Sequence, residues 1–452
     1  MKRKAIKTSA FLLVLCLVAT MFTACGGTNA PAENSATPTA SSSETPDDAK
    51  EPVELVFLFG ASDFYDWFNS YFEEYTKEND KGILVKTEFQ KEATQILQAR
   101  VAAGDTPDLM SVGLPQPMVD KGDFYDMSGE AWWSTLMPSA KELSVDIKSG
   151  KNYYVPMCMS AVGLFYNKAI FQELGLTPAK TWDEFVKNLT VIKEKKPDVV
   201  PFYMGGKDAW MLAHLWEYNV DGVPKQLLGY SGFEKAASQN DLKALGWDDS
   251  SDGVVAKYAK CLMELKEKGL INSNVVTATE DNQISAFVSG KAAMIGNGIW
   301  ELASMNSKNP DFKDIGFSTY PTFMDGVKNM VGSPLDGQVA ISSSSKDLDS
   351  AKKIVELMLE PDAMKSLCEK RGAIPINPNV DANWSVIKDD VRDVLKNSVG
   401  ATWTQNLPGS FNDDERGRLI QELFVGKYAT PEAFAAEYVS RWTKAYDDAK
   451  AK

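Results

Sequence analysis

His214 is the one histidine in 452 residues, and that scarcity removes most of the usual catalytic schemes. A histidine-built zinc site, a metalloprotease helix and a serine–histidine triad each need imidazole at a fixed place among its partners. Beyond Cys16 and Cys25, only Cys158, Cys261 and Cys368 remain. They are odd in number and widely spaced, so they form neither a CxxC nor a disulfide framework and read as buried thiols. The acidic pairs Glu73-Glu74, Asp389-Asp390 and Asp413-Asp414 are adjacent in sequence. Neighbours diverge on a helix, so these carboxylates read as solvated surface. Asp248 to Gly253 carries the oxygen donors and the glycine of a calcium loop, but Ala259 stands where that loop needs a bidentate glutamate. It reads as an acidic turn. Gly296-Asn297-Gly298 lacks the third glycine of a dinucleotide fingerprint, and no P-loop is present. No cofactor, no metal and no enzymatic activity are expected. What the chain does hold is planar aromatic surface, with eleven tryptophans.

The elements that would position such residues can be read from periodicity. Glu54 to Phe59 is a nearly continuous apolar run, as a buried parallel strand requires. Phe64, Trp67, Phe68, Tyr71, Phe72 and Tyr75 then recur at helical spacing. A mixed-polarity strand over 83–89, a helix over 92–103 ending at Gly104, and a strand over 109–112 complete a βαβαβ pattern. Its crossovers are right-handed, and ligands of such sheets sit beyond the carboxyl ends of the strands. That rule selects Ser62 and Asp63 after the first strand and Gln116 after the third. Thr181-Trp182-Asp183-Glu184 is a capping box opening a further helix.

The first 50 residues are a different kind of sequence. Lys2, Arg3, Lys4 and Lys7 precede an apolar run from Ala10 to Phe22, too short to span a bilayer permanently. Phe22-Thr23-Ala24-Cys25-Gly26-Gly27 resembles a bacterial lipobox, which implies a signal peptide over 1–24 and a lipid on Cys25. Residues 26–52 contain no aromatic residue and no Val, Ile, Leu or Met. Such a stretch cannot bury enough apolar surface to order itself and reads as a tether, with a reach of roughly 30 Å. Removing 1–24 takes away four positive charges and no negative ones, moving the net charge from −14 to −18. An acidic chain of this kind excludes nucleic acid as its main partner.

Together, in order, several segments resemble the extracellular solute-binding proteins of ABC transporters, in the carbohydrate-binding family that includes maltose-binding proteins. They are Ala102 to Asp108, Tyr154-Val155-Pro156 with Gly163 to Lys168, Thr181 to Phe185, Phe287 to Met294, Asn297 to Glu301, and Gly372 to Pro375. The resemblance implies an α/β, two-lobed periplasmic-binding-protein-like fold with an interdomain hinge and a ligand cleft. By that analogy the first lobe comprises 53–161 and 297–362, and the second 162–296 and 363–452 with the C-terminal helices. The chain would leave lobe one near Ser160, return near Asn297 and cross again around 360–375. The function implied is capture of a carbohydrate, an oligosaccharide by the shape of a cleft, for delivery to the ABC permease subunits. The chain would act as a monomer, lipid-anchored on the outer face of the cytoplasmic membrane. The alternatives are a peptide or polyamine in the same fold, or a surface glycoside hydrolase.

A sugar needs planar aromatics over its C–H faces and carboxylates or amides for its hydroxyls. By the resemblance and by loop position, the aromatic candidates are Trp300 at a crossing, Trp210 after the Gly205–Asp208 loop, and Trp403 after the third crossing. Asp208 and Asn297 flank the first two, Ser160 lies at the first hinge, and Asp336 lies in a loop of the returning segment. Trp67, Trp182 and Trp442 are expected to be structural.

Overall fold

The computed structural model describes residues 52–61, 64–78, 82–146, 148–401 and 411–451. The leader, Cys25 and the tether before Pro52 lie outside the described residues, as do Ser62, Asp63 and Trp403.

Strand β1 (Val53–Phe59) buries Leu55, Phe57, Leu58 and Phe59 completely. Helix α1 (Tyr65–Glu78) lays Trp67, Phe68 and Phe72 against it, with the Phe57 and Phe68 rings edge to face at 4.7 Å. Each such aromatic contributes about 1.5–3 kcal/mol on burial. Strands β2 (Ile83–Phe89) and β3 (Leu109–Ser111) lie parallel on either side of β1, Val53 opposite Ile83 and Phe57 opposite Leu109. Helix α2 (Ala93–Ala102) makes the crossover between them. Ala340–Ile341 adds an antiparallel strand beside β3.

A second sheet is centred on Val162–Asn167, which pairs antiparallel with Ala292–Gly298, with Ile315–Ser318 and with Gly332. Val200–Tyr203 lies outside Ala292–Gly298, and Val399–Ala401 outside Met330–Gly332. Gly163 is required here: a Cβ would stand 2.5 Å from the Ser318 carbonyl oxygen. The helices Asp413–Phe424 and Pro431–Lys450 close over this lobe, burying Leu419, Ile420, Tyr438 and Trp442 with Trp216 and Trp247.

The two lobes are joined at a small third sheet, in the order Leu335–Asp336, Cys158–Met159, Ile374–Pro375. The Ser160 N–H donates to the Pro334 carbonyl at 2.9 Å beside it. The return to lobe one was expected near Asn297, but residues 292–298, 315–318 and 330–332 all stay paired in the second sheet. Leu335–Asp336, further along, pairs with Cys158–Met159 in the third sheet. Gly296-Asn297-Gly298 ends a buried strand whose glycines admit the Tyr320 and Trp300 rings.

Candidate functional site

Three chain turns meet at the carboxyl ends of β1 and β3 and enclose a groove of about 760 Å3. Gly60, Ala61 and Phe64 come from the first turn, Lys91 to Gln95 from the start of α2, and Ser111 to Gly113 from the end of β3. Leu335 to Gln338 of the crossing segment completes it. Gly60 lets β1 and α2 meet closely, since a Cβ there would lie 2.9 Å from that of Ala93. Gln338 donates to the Val112 carbonyl at 3.0 Å, and it also lines an adjoining pocket of about 190 Å3 holding Gln116, Asp146, Tyr153 and Tyr154.

Asp336 is the carboxylate of the groove. Its Oδ1 accepts from the Gly337 N–H at 2.8 Å and its Oδ2 takes the Arg371 guanidinium at 2.7 Å. Gly337 has φ +63, and a Cβ there would meet the Phe64 ring at 2.6 Å, so glycine alone permits this turn. A carboxylate offers about four lone-pair sites. Among the described residues two are used, and the side chain is 32% exposed.

The second lobe contributes a row of rings. His214 lies edge to face between Trp210 and Trp300, with centroids 5.0 and 5.8 Å away. Burial, opposed by Asp413 and Glu217 and assisted by Arg416, pushes the His214 pKa down to about 4. The imidazole is therefore neutral near pH 7 and acts as a wedge between two partly exposed indoles. Trp300 stands over Gly298, where a Cβ would fall 2.2 Å from the indole. The neighbouring Ile299 N–H donates to the Ala161 carbonyl at 2.9 Å, which sets Trp300 at the lobe-two end of the crossings. The helix Ala209–Trp216, carrying Trp210 and His214, packs backbone to backbone on Asp413–Phe424: a Cβ on Gly417 would lie 1.8 Å from the Ala209 carbonyl oxygen.

Of the residues chosen from sequence, Asp336 lines the groove, and Trp210 and Trp300 flank His214. Gln116 sits by the smaller pocket, its amide donating to Asp120 at 3.1 Å. Asp208 is exposed at the head of its helix and makes no side-chain capping bond. Ser160 is buried in the hinge. Asn297 is spent on the fold: its amide donates to Glu280 and Gln283 at 3.0 and 3.1 Å, and its carbonyl accepts from Gly298. Beside it, burial and then Glu280 push the Glu301 carboxyl up to about 7.

Sequence reasoning missed Gln338, Arg371, Tyr154 and the Lys91–Gln95 turn. That turn follows β2, and the carboxyl-end rule applied to β2 finds it. Asp248 makes a local turn with Ser250, and no group of three or more His, Cys, Asp or Glu among the described residues is arranged to hold a metal.

These features define a two-lobed protein with a polar groove in one lobe and two partly exposed indoles braced by His214 in the other. The chain belongs to the bacterial extracellular solute-binding protein family, whose profile matches residues 61–365. It is 31% identical over 307 residues to the multiple sugar-binding protein of Streptococcus mutans, covering 67% of this chain and 70% of that one. It is 26% identical over 326 residues to the melibiose/raffinose/stachyose-binding protein MelE of Bacillus subtilis, covering 72% and 74%. Among solved structures it resembles a binding protein of Bacillus subtilis in an open conformation, with TM-score 0.73, 22% identity, and coverage of 89% of this chain and all of that one. Apo RafE from Streptococcus pneumoniae gives TM-score 0.71 at the same identity and coverage. The family is one of solute-binding proteins, and both of these relatives are named as sugar-binding proteins. No helix among the described residues is long and apolar enough to cross a membrane.

Proposed function

We propose that this protein captures a neutral oligosaccharide in the cleft between its lobes and delivers it, uncleaved, to the membrane subunits of an ABC permease. One observation carries the reading. A groove rich in hydrogen-bonding groups, with Asp336 holding spare acceptor capacity, lies on the lobe-one side of the crossings, and two braced, partly exposed indoles lie on the lobe-two side. Hydroxyls and C–H faces of a sugar require that division of labour. The relatives named for multiple sugars and for melibiose, raffinose and stachyose support the substrate class. Two pockets sharing Gln338 give room along the groove for more than one ring. Closure then follows from tighter contact with ligand in the closed than in the open state.

Tryptophan emission of the purified protein will shift or quench saturably on titration with raffinose-series and malto-oligosaccharides, and the sugar will be recovered intact. Cleaved sugar after prolonged incubation would instead indicate a hydrolase.

The protein acts as a monomer held by a lipid on Cys25 at the outer face of the cytoplasmic membrane, a reading supported by the lipobox-like segment and the polar stretch after it. Cys25→Ala should release it from the membrane fraction. Unchanged membrane retention of that variant would contradict the anchor.

A further inference from the structure

Arg371 is the last residue of the helix Pro361–Arg371 and stands where the chain enters the third crossing through the left-handed Gly372. Its side chain is 9% exposed. One guanidinium nitrogen lies 2.7 Å from the Asp336 carboxylate, and another lies 3.4 Å from the Cys158 sulfur. The guanidinium carbon sits 4.0 Å from the centre of the Phe64 ring, at the groove wall. Cys158, Asp336 and the strand Ile374–Pro375 following Arg371 are the three members of the crossing sheet. One cation therefore touches the groove carboxylate, the groove wall and the strand that carries the first crossing.

We propose that Arg371 is a positioning residue for ligand capture. It holds the Asp336 carboxylate in a single orientation, with its remaining lone pairs toward the groove, and ties that carboxylate to the hinge. The inference rests on the oligosaccharide reading above. The geometry explains why arginine is needed. A planar fork can bond Asp336 and Cys158 at once while stacking on Phe64, and a lysine ammonium can serve Asp336 only as a point charge. An Asp336 free to rotate would lose rotamer entropy on binding and would offer acceptors that no longer match two hydroxyls at once.

A double-mutant cycle in sugar affinity tests this, using raffinose-series and malto-oligosaccharides in calorimetry, with thermal melts alongside. Arg371→Gln should weaken binding about ten- to a hundredfold, and Asp336→Asn by a similar factor. The two together should cost little more than either alone, because both break one unit. Arg371→Lys, which keeps the charge and the stem, should fold as wild type and recover part of the affinity. Multiplying losses in the double variant, or an Arg371→Gln protein with lowered melting temperature and wild-type affinity, would make Arg371 merely structural and overturn the proposal. A wild-type protein that binds none of these sugars would overturn the oligosaccharide reading itself, and this inference with it.

Discussion

Replacing Arg416 with methionine should destabilise the protein by about 3–5 kcal/mol, the range expected when one partner of a buried ion cluster is removed. Arg416 is 1% exposed. It meets Asp221 at 2.5 Å and Glu217 at 2.9 Å, and it also bonds Asp413. Glu217 and Asp221 are themselves fully buried, on a single wide turn over Glu217–Asp221. Lys225, 2.8 Å from Glu217, cannot balance both acids. The loss is large because the two acids stay in the interior after the cation has gone. Arg441 is the control. It also pairs with three carboxylates, Glu415, Glu422 and Glu437, but is 20% exposed beside partners that water reaches. Arg441→Met should cost about 1 kcal/mol or less. Urea denaturation of the two variants separates these cases. An Arg416 variant within about 0.5 kcal/mol of wild type would show that the cluster adds nothing to stability. The consequence reaches the site, because Arg416 precedes Gly417, where this helix meets the one carrying Trp210 and His214.

Trp300→Ala should raise the dissociation constant for the cognate oligosaccharide about a hundredfold, equivalent to roughly 2–3 kcal/mol. The indole stands at the lobe-two end of the crossings, pinned by Gly298 below and His214 at its edge. A ring held that rigidly loses little entropy when a sugar face covers it. Trp300→Phe keeps a planar ring and should retain most of the affinity. Calorimetry on both variants, with circular dichroism to confirm folding, distinguishes stacking from support of the lobe. Equal affinity in wild type and Trp300→Ala would remove the indole from the site.

The parts of the fold legible in sequence were those with short-range signals. The apolar run of β1 and the aromatic period of α1 specify the first parallel unit, and the Thr181 hydroxyl accepts from the Glu184 N–H as its spacing implies. The crossing expected near Asn297 was taken from the family resemblance, and the composition of Gly296-Asn297-Gly298 gives no sign of where it pairs. Its strand pairing with Val162–Asn167 is a long-range fact that composition does not hold. The same limit governs the site. Asp336 and the two indoles were chosen from the family resemblance and loop position, but Arg371 was not, since Cys158 lies 213 residues away. His214 was informative in sequence only as a scarcity. Its place between Trp210 and Trp300, and the burial that keeps it neutral, come from tertiary packing.

The central claim is that the cleft takes a neutral oligosaccharide. Isothermal titration calorimetry of the purified protein, run against a panel of neutral oligosaccharides beside polyamines and short peptides, tests it most directly. The account predicts saturable one-to-one heat with at least one oligosaccharide and none with the cations or peptides. Heat from a polyamine or peptide, with every sugar silent, would contradict it.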